Sequence, residues 1–132
     1  SAASNTGRNR GDADIIIVRL ADVHLMRAEA QLRKNNAAAA LTDVNVVRSA
    51  RTLTKPAAPL SSITLDLLFR ERGFEFYWEM LRRTDMVRFN KFEGTWTEKD
   101  NNDKNKRIFP IPQTAIDGAS NLVGYLVQNP GY

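Results

Sequence analysis

Residues 19–51, RLADVHLMRAEAQLRKNNAAAALTDVNVVRSAR, limit what this chain can fold into more than any other stretch. Over residues 19–34 the residue types are mostly good helix formers, and Leu25, Ala28 and Leu32 fall on one helical stripe with Ala21. Asn35 and Asn36 supply a helix stop and a tight turn. Residues 37–51 then place Ala40, Leu41, Val44 and Val47 or Arg48 at helical spacing again. A connection this short sends the second helix back antiparallel to the first, and alanine at the contact positions lets the two approach closely. A helix, a short turn and a second alanine-rich helix make the unit of tetratricopeptide arrays. Only one copy is visible, and such units bury their faces against neighbours. This one must therefore pack on the rest of the chain or on a segment outside it.

Composition narrows the class. With 132 residues, 42% of them hydrophobic and 26% charged, the chain is long enough for one compact soluble domain with a real core. Its 19 Lys and Arg outnumber 15 Asp and Glu, but bases and acids are interleaved, so no stripe suits a phosphate backbone and nucleic acid is not an expected partner. The absence of cysteine excludes disulfides, thiolate metal sites and a thiol nucleophile. No apolar run approaches the roughly 20 residues of a membrane span.

Along the chain, residues 1–14 read as a flexible polar lead-in to a domain over 15–132, the piece as a whole reading as a fragment of a longer protein. Residues 15–18, IIIV, favour an extended backbone. Residues 52–62 form a linker in which Pro56 and Pro59 forbid helix continuation. Thr64 caps a third, long helix with Asp66 in its first turn, running to about Leu81 and continuing, after a bend, for another turn or two over RTDMVRF. Residues 92–106 read as a polar loop. Residues 107–132, with Pro110, Pro112 and Pro130, read as an ordered irregular tail with a helical turn over 113–116. The fold expected is mainly α, a helical hairpin plus a long helix and an irregular C-terminal loop region, with little or no sheet.

The third helix carries Glu71, Glu75 and Glu79 at four-residue intervals. With Glu71 at 0°, Glu75 falls at about 40° and Glu79 at about 80°, with Leu68 at about 60°, Trp78 at about −20°, Arg82 at about 20° and Arg72 at about 100°. The acids share one stripe among apolar side chains, bordered by guanidinium groups. A glycosidase needs two carboxylates opposed across a sugar, roughly 5 to 9.5 Å apart, and acids pointing the same way do not flank a substrate. An unpaired buried acid costs several kcal/mol, so Arg72, Arg82, Arg83 and Arg88 read as its compensation. The expectation is a structural ion-pair network of Glu71, Arg72, Glu75, Glu79, Arg82, Asp85 and Arg88, and no catalytic residue.

His24 is the sole histidine, and inside the first helix it reads as a packing and hydrogen-bonding residue. DNNDKN over 100–105 lacks the oxygen ligand and the glycine that a calcium loop needs at its fifth and sixth positions, so no metal and no cofactor is expected. Phe69, Phe74, Phe76, Tyr77 and Trp78 at helical spacing read as core. Trp96 differs, because it lies in a polar loop beside Gly94 and Thr95. A flat ring exposed on a loop can stack on the apolar face of a sugar, and Trp96 is the candidate ligand-binding residue. The simpler role for it is to pin the loop to the body.

Taken in order, RLADVHLMRAEAQL, AAAALTDVNVVRSAR, ERGFEFYWEMLRRTDMVRFNKF, FPIPQTAI and the terminal QNPGY resemble the C-terminal half of the SusD/RagB family of nutrient-binding proteins. The resemblance implies an α-helical, non-enzymatic protein at the outer-membrane surface of Bacteroidota, held there by a lipid anchor at the N-terminus of its parent chain. It implies two partners, a SusC-like TonB-dependent transporter on which the protein sits as a lid, and an oligosaccharide or other nutrient. It also implies that Glu71, Arg72, Glu75, Trp78, Glu79, Arg82, Arg83 and Asp85 form a structural signature. Family members often carry glycine where Met80 stands, are several times longer, and open with a lipidated cysteine absent here. The residues alone leave an alternative function, a helical-hairpin module whose ligand is another protein.

Overall fold

The computed structural model describes residues 17–51, 57–119 and 124–132. The lead-in over 1–14 and residues 52–56 of the linker, with Pro56, lie outside the described residues. Among the described residues five α-helices follow in order, α1 (Leu20–Arg33), α2 (Ala37–Ser49), α3 (Leu65–Glu75), α4 (Arg82–Arg88) and α5 (Gln113–Gly118), with a 3-10 turn at Lys104–Arg107. Among the described residues there is no strand, only an isolated antiparallel bridge between Trp96 and Lys99, so the fold is mainly α. The chain forms two compact units, Ser1–Glu75 and Phe76–Tyr132. Among the described residues no helix is long and apolar enough to cross a membrane.

In the first unit α1 and α2 pair as the alanine pattern requires. Leu25 and Ala28 from α1 and Ala40, Val44 and Val47 from α2 are buried, joined by Ile63, Leu68 and Phe69 from the α3 region. Burial of these side chains supplies the driving force, on the order of 1.5–3 kcal/mol for each Leu or Val removed from water. Asn35 makes the turn by adopting φ 60, a left-handed conformation that asparagine tolerates better than most residues. The Asn36 side chain then caps α2 by accepting from the Ala39 N–H at 3.3 Å. The Asn45 amide of α2 both donates to the Leu60 carbonyl (3.0 Å) and accepts from its N–H (2.8 Å), fixing the chain on its way into α3. Thr64 caps α3 as expected, its hydroxyl oxygen accepting from the Leu67 N–H at 3.2 Å.

Helix α3 is shorter than the sequence suggests, ending at Glu75 and not near Leu81. In a continuing helix the Glu75 carbonyl would accept from the Glu79 N–H. Instead that carbonyl accepts from Arg19 Nη2 at 2.6 Å, and the Glu79 N–H donates to Phe76 at 3.0 Å. Trp78 (φ 67) and Met80 (φ 59) then take left-handed conformations that no helix contains. The break also corrects the aromatic core. Phe69 and Phe76 are buried, but Phe74, Tyr77 and Trp78 are exposed, Trp78 by 86%.

In the second unit the Arg83 guanidinium lies between the rings of Phe92 (4.8 Å) and Phe109 (4.4 Å) and donates to the carbonyls of Lys106 (2.7 Å) and Arg107 (3.1 Å). The polar run over 92–106 is a loop with an isolated bridge between Trp96 and Lys99 that leads into the 3-10 turn. Asp103 accepts from the Asn105 N–H at 2.9 Å and starts the 3-10 turn. The terminal QNPGY is stitched to the FPIP segment. Gln128 accepts from the Ile111 N–H (2.8 Å) and donates to its carbonyl (2.9 Å), Asn129 donates to the Phe109 carbonyl (2.7 Å), and the Tyr132 hydroxyl donates to the Ile108 carbonyl (2.8 Å). Gly131 makes this possible, because at φ 88 a Cβ would come within 2.8 Å of Asn105 Cβ.

Candidate functional site

The charged residues of the first unit converge where the start of α1, the end of α2 and the body of α3 meet. Glu71 on α3 accepts from Arg48 Nη1 of α2 at 2.6 Å. One turn on, Glu75 accepts from Arg19 and from Arg51, the latter through Nε at 2.9 Å. Arg72, 3% exposed, turns the other way and donates to Asp22 of α1 at 2.9 Å. Arg19, Arg48, Arg51, Glu71 and Glu75 rim a cavity of about 550 Å³ whose apolar wall includes Leu25, Val44 and Phe74. Both glutamates in it are engaged by guanidinium groups of other helices. They lie side by side on one helix face, so no pair of carboxylates flanks a space where a glycosidic bond could sit.

A second cluster links α1 to α2. The buried Asp43 carboxylate accepts from Arg27 Nε (2.7 Å) and Nη2 (2.5 Å) and is 3.0 Å from His24 Nδ1. The Arg27 hydrogen bond holds the Asp43 carboxyl below its ordinary pKa against the opposing effect of burial, with His24 adding to the shift. A histidine oriented by a carboxylate serves in nucleophilic triads, but here Asp43 is already occupied by a bidentate arginine. In the second unit Glu93 is likewise held below its ordinary pKa, first by its hydrogen bond from Arg107.

The seven charged residues grouped from the sequence are thus distributed over both units. Glu71, Arg72 and Glu75 lie on α3, while Glu79 lies beyond it in the break. Arg82, Asp85 and Arg88 belong to α4, where Arg88 Nη2 meets Asp85 at 3.1 Å. Burial pushes the Arg82 guanidinium below its ordinary pKa, with the Asp85 charge opposing that effect. The partners that sequence reasoning missed are Arg19, Asp22, Asp43, Arg48 and Arg51, all on or beside the hairpin. A signal was present for the two acids. Asp22 stands three positions before Leu25, and Asp43 three after Ala40, so each sits on or beside an apolar stripe where an acid needs a partner.

Trp96 lies in the tight turn closed by its bridge to Lys99. Its ring lies over Gly94, where a Cβ would come within 3.2 Å of Cζ3, and Lys99 Nζ is 5.5 Å from the ring centroid. The same ammonium group donates to the carbonyls of Gly94 (2.8 Å) and Asn101 (2.7 Å). The residue remains 40% exposed.

Over residues 1–132 the sequence matches the model of the SusD family. The starch-binding protein SusD of Bacteroides thetaiotaomicron is 33% identical over 130 residues, an alignment that covers 92% of this chain and 22% of that protein. The chain therefore spans little more than a fifth of the length of the curated relative it matches. The match along the whole sequence, the identity to that relative and the mainly α architecture lead to one conclusion: the chain belongs to the SusD family.

Proposed function

We propose that this chain is the C-terminal region of a longer, non-catalytic glycan- or nutrient-binding protein of the outer-membrane surface, over residues 15–132 with 1–14 leading in. In this reading its parent carries the lipid anchor, and a SusC-like TonB-dependent transporter is the partner that takes the nutrient onward. The observation that carries the proposal is the 33% identity, along 92% of this chain, to a protein named for binding starch. The site chemistry agrees with binding and not hydrolysis, since Glu71 and Glu75 are both held by arginines on one helix face.

Trp96 is the aromatic we assign to ligand contact, its ring braced by Gly94 and Lys99 and the residue 40% exposed. Calorimetric titration of the full-length product with maltooligosaccharides and a panel of other glycans tests both statements. Binding without bond cleavage is the expected result. Failure of every glycan to bind, or release of reducing ends, overturns the function. Unchanged affinity in Trp96→Ala removes that residue from the site. The alternative, a helical-hairpin module for a protein ligand, draws support from the apolar residues that α1 and α2 leave exposed.

A further inference from the structure

Trp96 and Lys99 exchange both backbone hydrogen bonds, at 3.1 and 2.9 Å, across the two-residue turn of Thr97 and Glu98. Glu98 stands at φ 64 and Thr97 at no positive φ, the φ pattern of a type II turn, whose second central position is the ordinary place of glycine. A carboxylate side chain held there costs free energy that glycine would avoid. No internal contact offsets that cost, because Glu98 is exposed and, among the described residues, has no hydrogen-bond or ion-pair partner. The neighbouring cation is engaged elsewhere. Lys99 Nζ donates to the Gly94 and Asn101 carbonyls and lies 5.2 Å from the centroid of the buried Phe92 ring, so it braces the turn and leaves the Glu98 charge unbalanced. Asn101 in turn accepts from the Asp103 N–H at 2.8 Å, fixing the segment that leaves the turn. Glu98 is thus an unsatisfied acceptor on a rigid support, two residues from an exposed ring.

Two residues of backbone span at most about 7 Å, so a sugar ring lying on Trp96 is within reach of the Glu98 side chain. An ionised carboxylate offers acceptors only, and hydrogen bonds to it are roughly twice as strong as those between neutral groups. Neighbouring hydroxyls of a pyranose are a matching pair of donors. A uronate or a sulfate ester would instead bring a second negative charge to the same place. We propose that Glu98 is the specificity-determining residue of the Trp96 site, accepting hydrogen bonds from the hydroxyls of a neutral sugar stacked on the ring and turning acidic glycans away. The proposal rests on the reading of Trp96 as the ligand contact and adds to it the class of glycan taken.

The test is calorimetric titration of the full-length product of the reading frame, with maltohexaose, cellohexaose and xylohexaose as neutral probes and oligogalacturonate as the acidic one. Glu98→Gln keeps the shape of the side chain and removes its charge, and Glu98→Lys reverses the charge. We expect a neutral probe to bind and oligogalacturonate to bind about tenfold or more weakly. Glu98→Gln should weaken the best neutral probe about tenfold with an unchanged melting temperature. Glu98→Lys should weaken it too and gain affinity for oligogalacturonate, a reversal that loss of a merely structural contact would not produce. Oligogalacturonate bound by the unaltered protein as tightly as the neutral probes overturns the proposal and leaves glycan capture standing. Unchanged neutral affinity in Glu98→Gln, with affinity lost in Trp96→Ala, overturns it as well and keeps Trp96 in the site. Failure of every probe to bind overturns it together with the functional reading, so the two failures are distinguishable.

Discussion

Arg19 and Glu75, 56 residues apart, make two contacts at once: the guanidinium donates to the Glu75 backbone carbonyl at 2.6 Å and also to its carboxylate. The side-chain contact ties the entrance of α1 to the end of α3, and the backbone contact falls on the carbonyl of the last residue of α3. Arg19→Ala should lower stability by about 1–3 kcal/mol, because a carboxylate only 9% exposed loses one of two cationic partners. Arg19→Lys should recover only part of this, since an ammonium cannot serve carboxylate and carbonyl with one rigid fork. Urea midpoints at unchanged m-value measure both. A midpoint like that of the unaltered chain in Arg19→Ala removes Arg19 from the architecture.

The Arg72–Asp22 pair is the more deeply buried of the charge contacts between α1 and α3. Arg72→Met alone should cost about 3–5 kcal/mol, because it strands a carboxylate in the core. Adding Asp22→Leu should return much of that loss, since the desolvation penalty disappears with the second charge. A double-mutant cycle reads the coupling. Additive single effects would show that the two residues act independently.

Met80 stands at φ 59 and is 93% exposed, so its side chain gains little from burial while its backbone is strained. Met80→Gly should raise stability by about 0.5–1 kcal/mol, the relief of left-handed strain exceeding the greater freedom of glycine in the unfolded chain. Met80→Ala, which keeps the Cβ, should bring no such gain. A lower melting temperature for Met80→Gly counts against it.

Acid should unfold the chain partly through Asp43 and Glu93, both held below their ordinary pKa by arginine hydrogen bonds. A carboxyl depressed in the folded state contributes stability that is fully present above its unfolded pKa, about 4, and that is lost as pH falls through the folded value. Stability should therefore begin to decline below about pH 4–5 and keep falling under it. Asp43→Asn should be less stable at neutral pH and show a shallower acid limb. Parallel acid limbs in the two proteins would exclude Asp43 from the transition.

The hairpin was readable in the sequence because its causes are local. Alanine and leucine at helical spacing, and two asparagines able to turn the chain, determine α1, α2 and the turn whatever else is present. The cap at Thr64, the helical turn at Gln113 and the family itself were legible as well, whereas Asn36, read as part of the turn, also caps α2. The end of α3 was not. Spacing carries Glu71, Glu75 and Glu79 along one stripe, but the helix ends at Glu75, whose carbonyl meets an arginine 56 residues earlier in the chain. Pairing showed the same limit: proximity along a helix suggested Arg72, Arg82, Arg83 or Arg88 beside the glutamates, while Glu71 meets Arg48 and Glu75 meets Arg19 and Arg51, all from outside α3. Helical periodicity decides which residues share a face, since that depends only on backbone geometry. Which charge meets which depends on how the faces dock, and tertiary packing alone settles that.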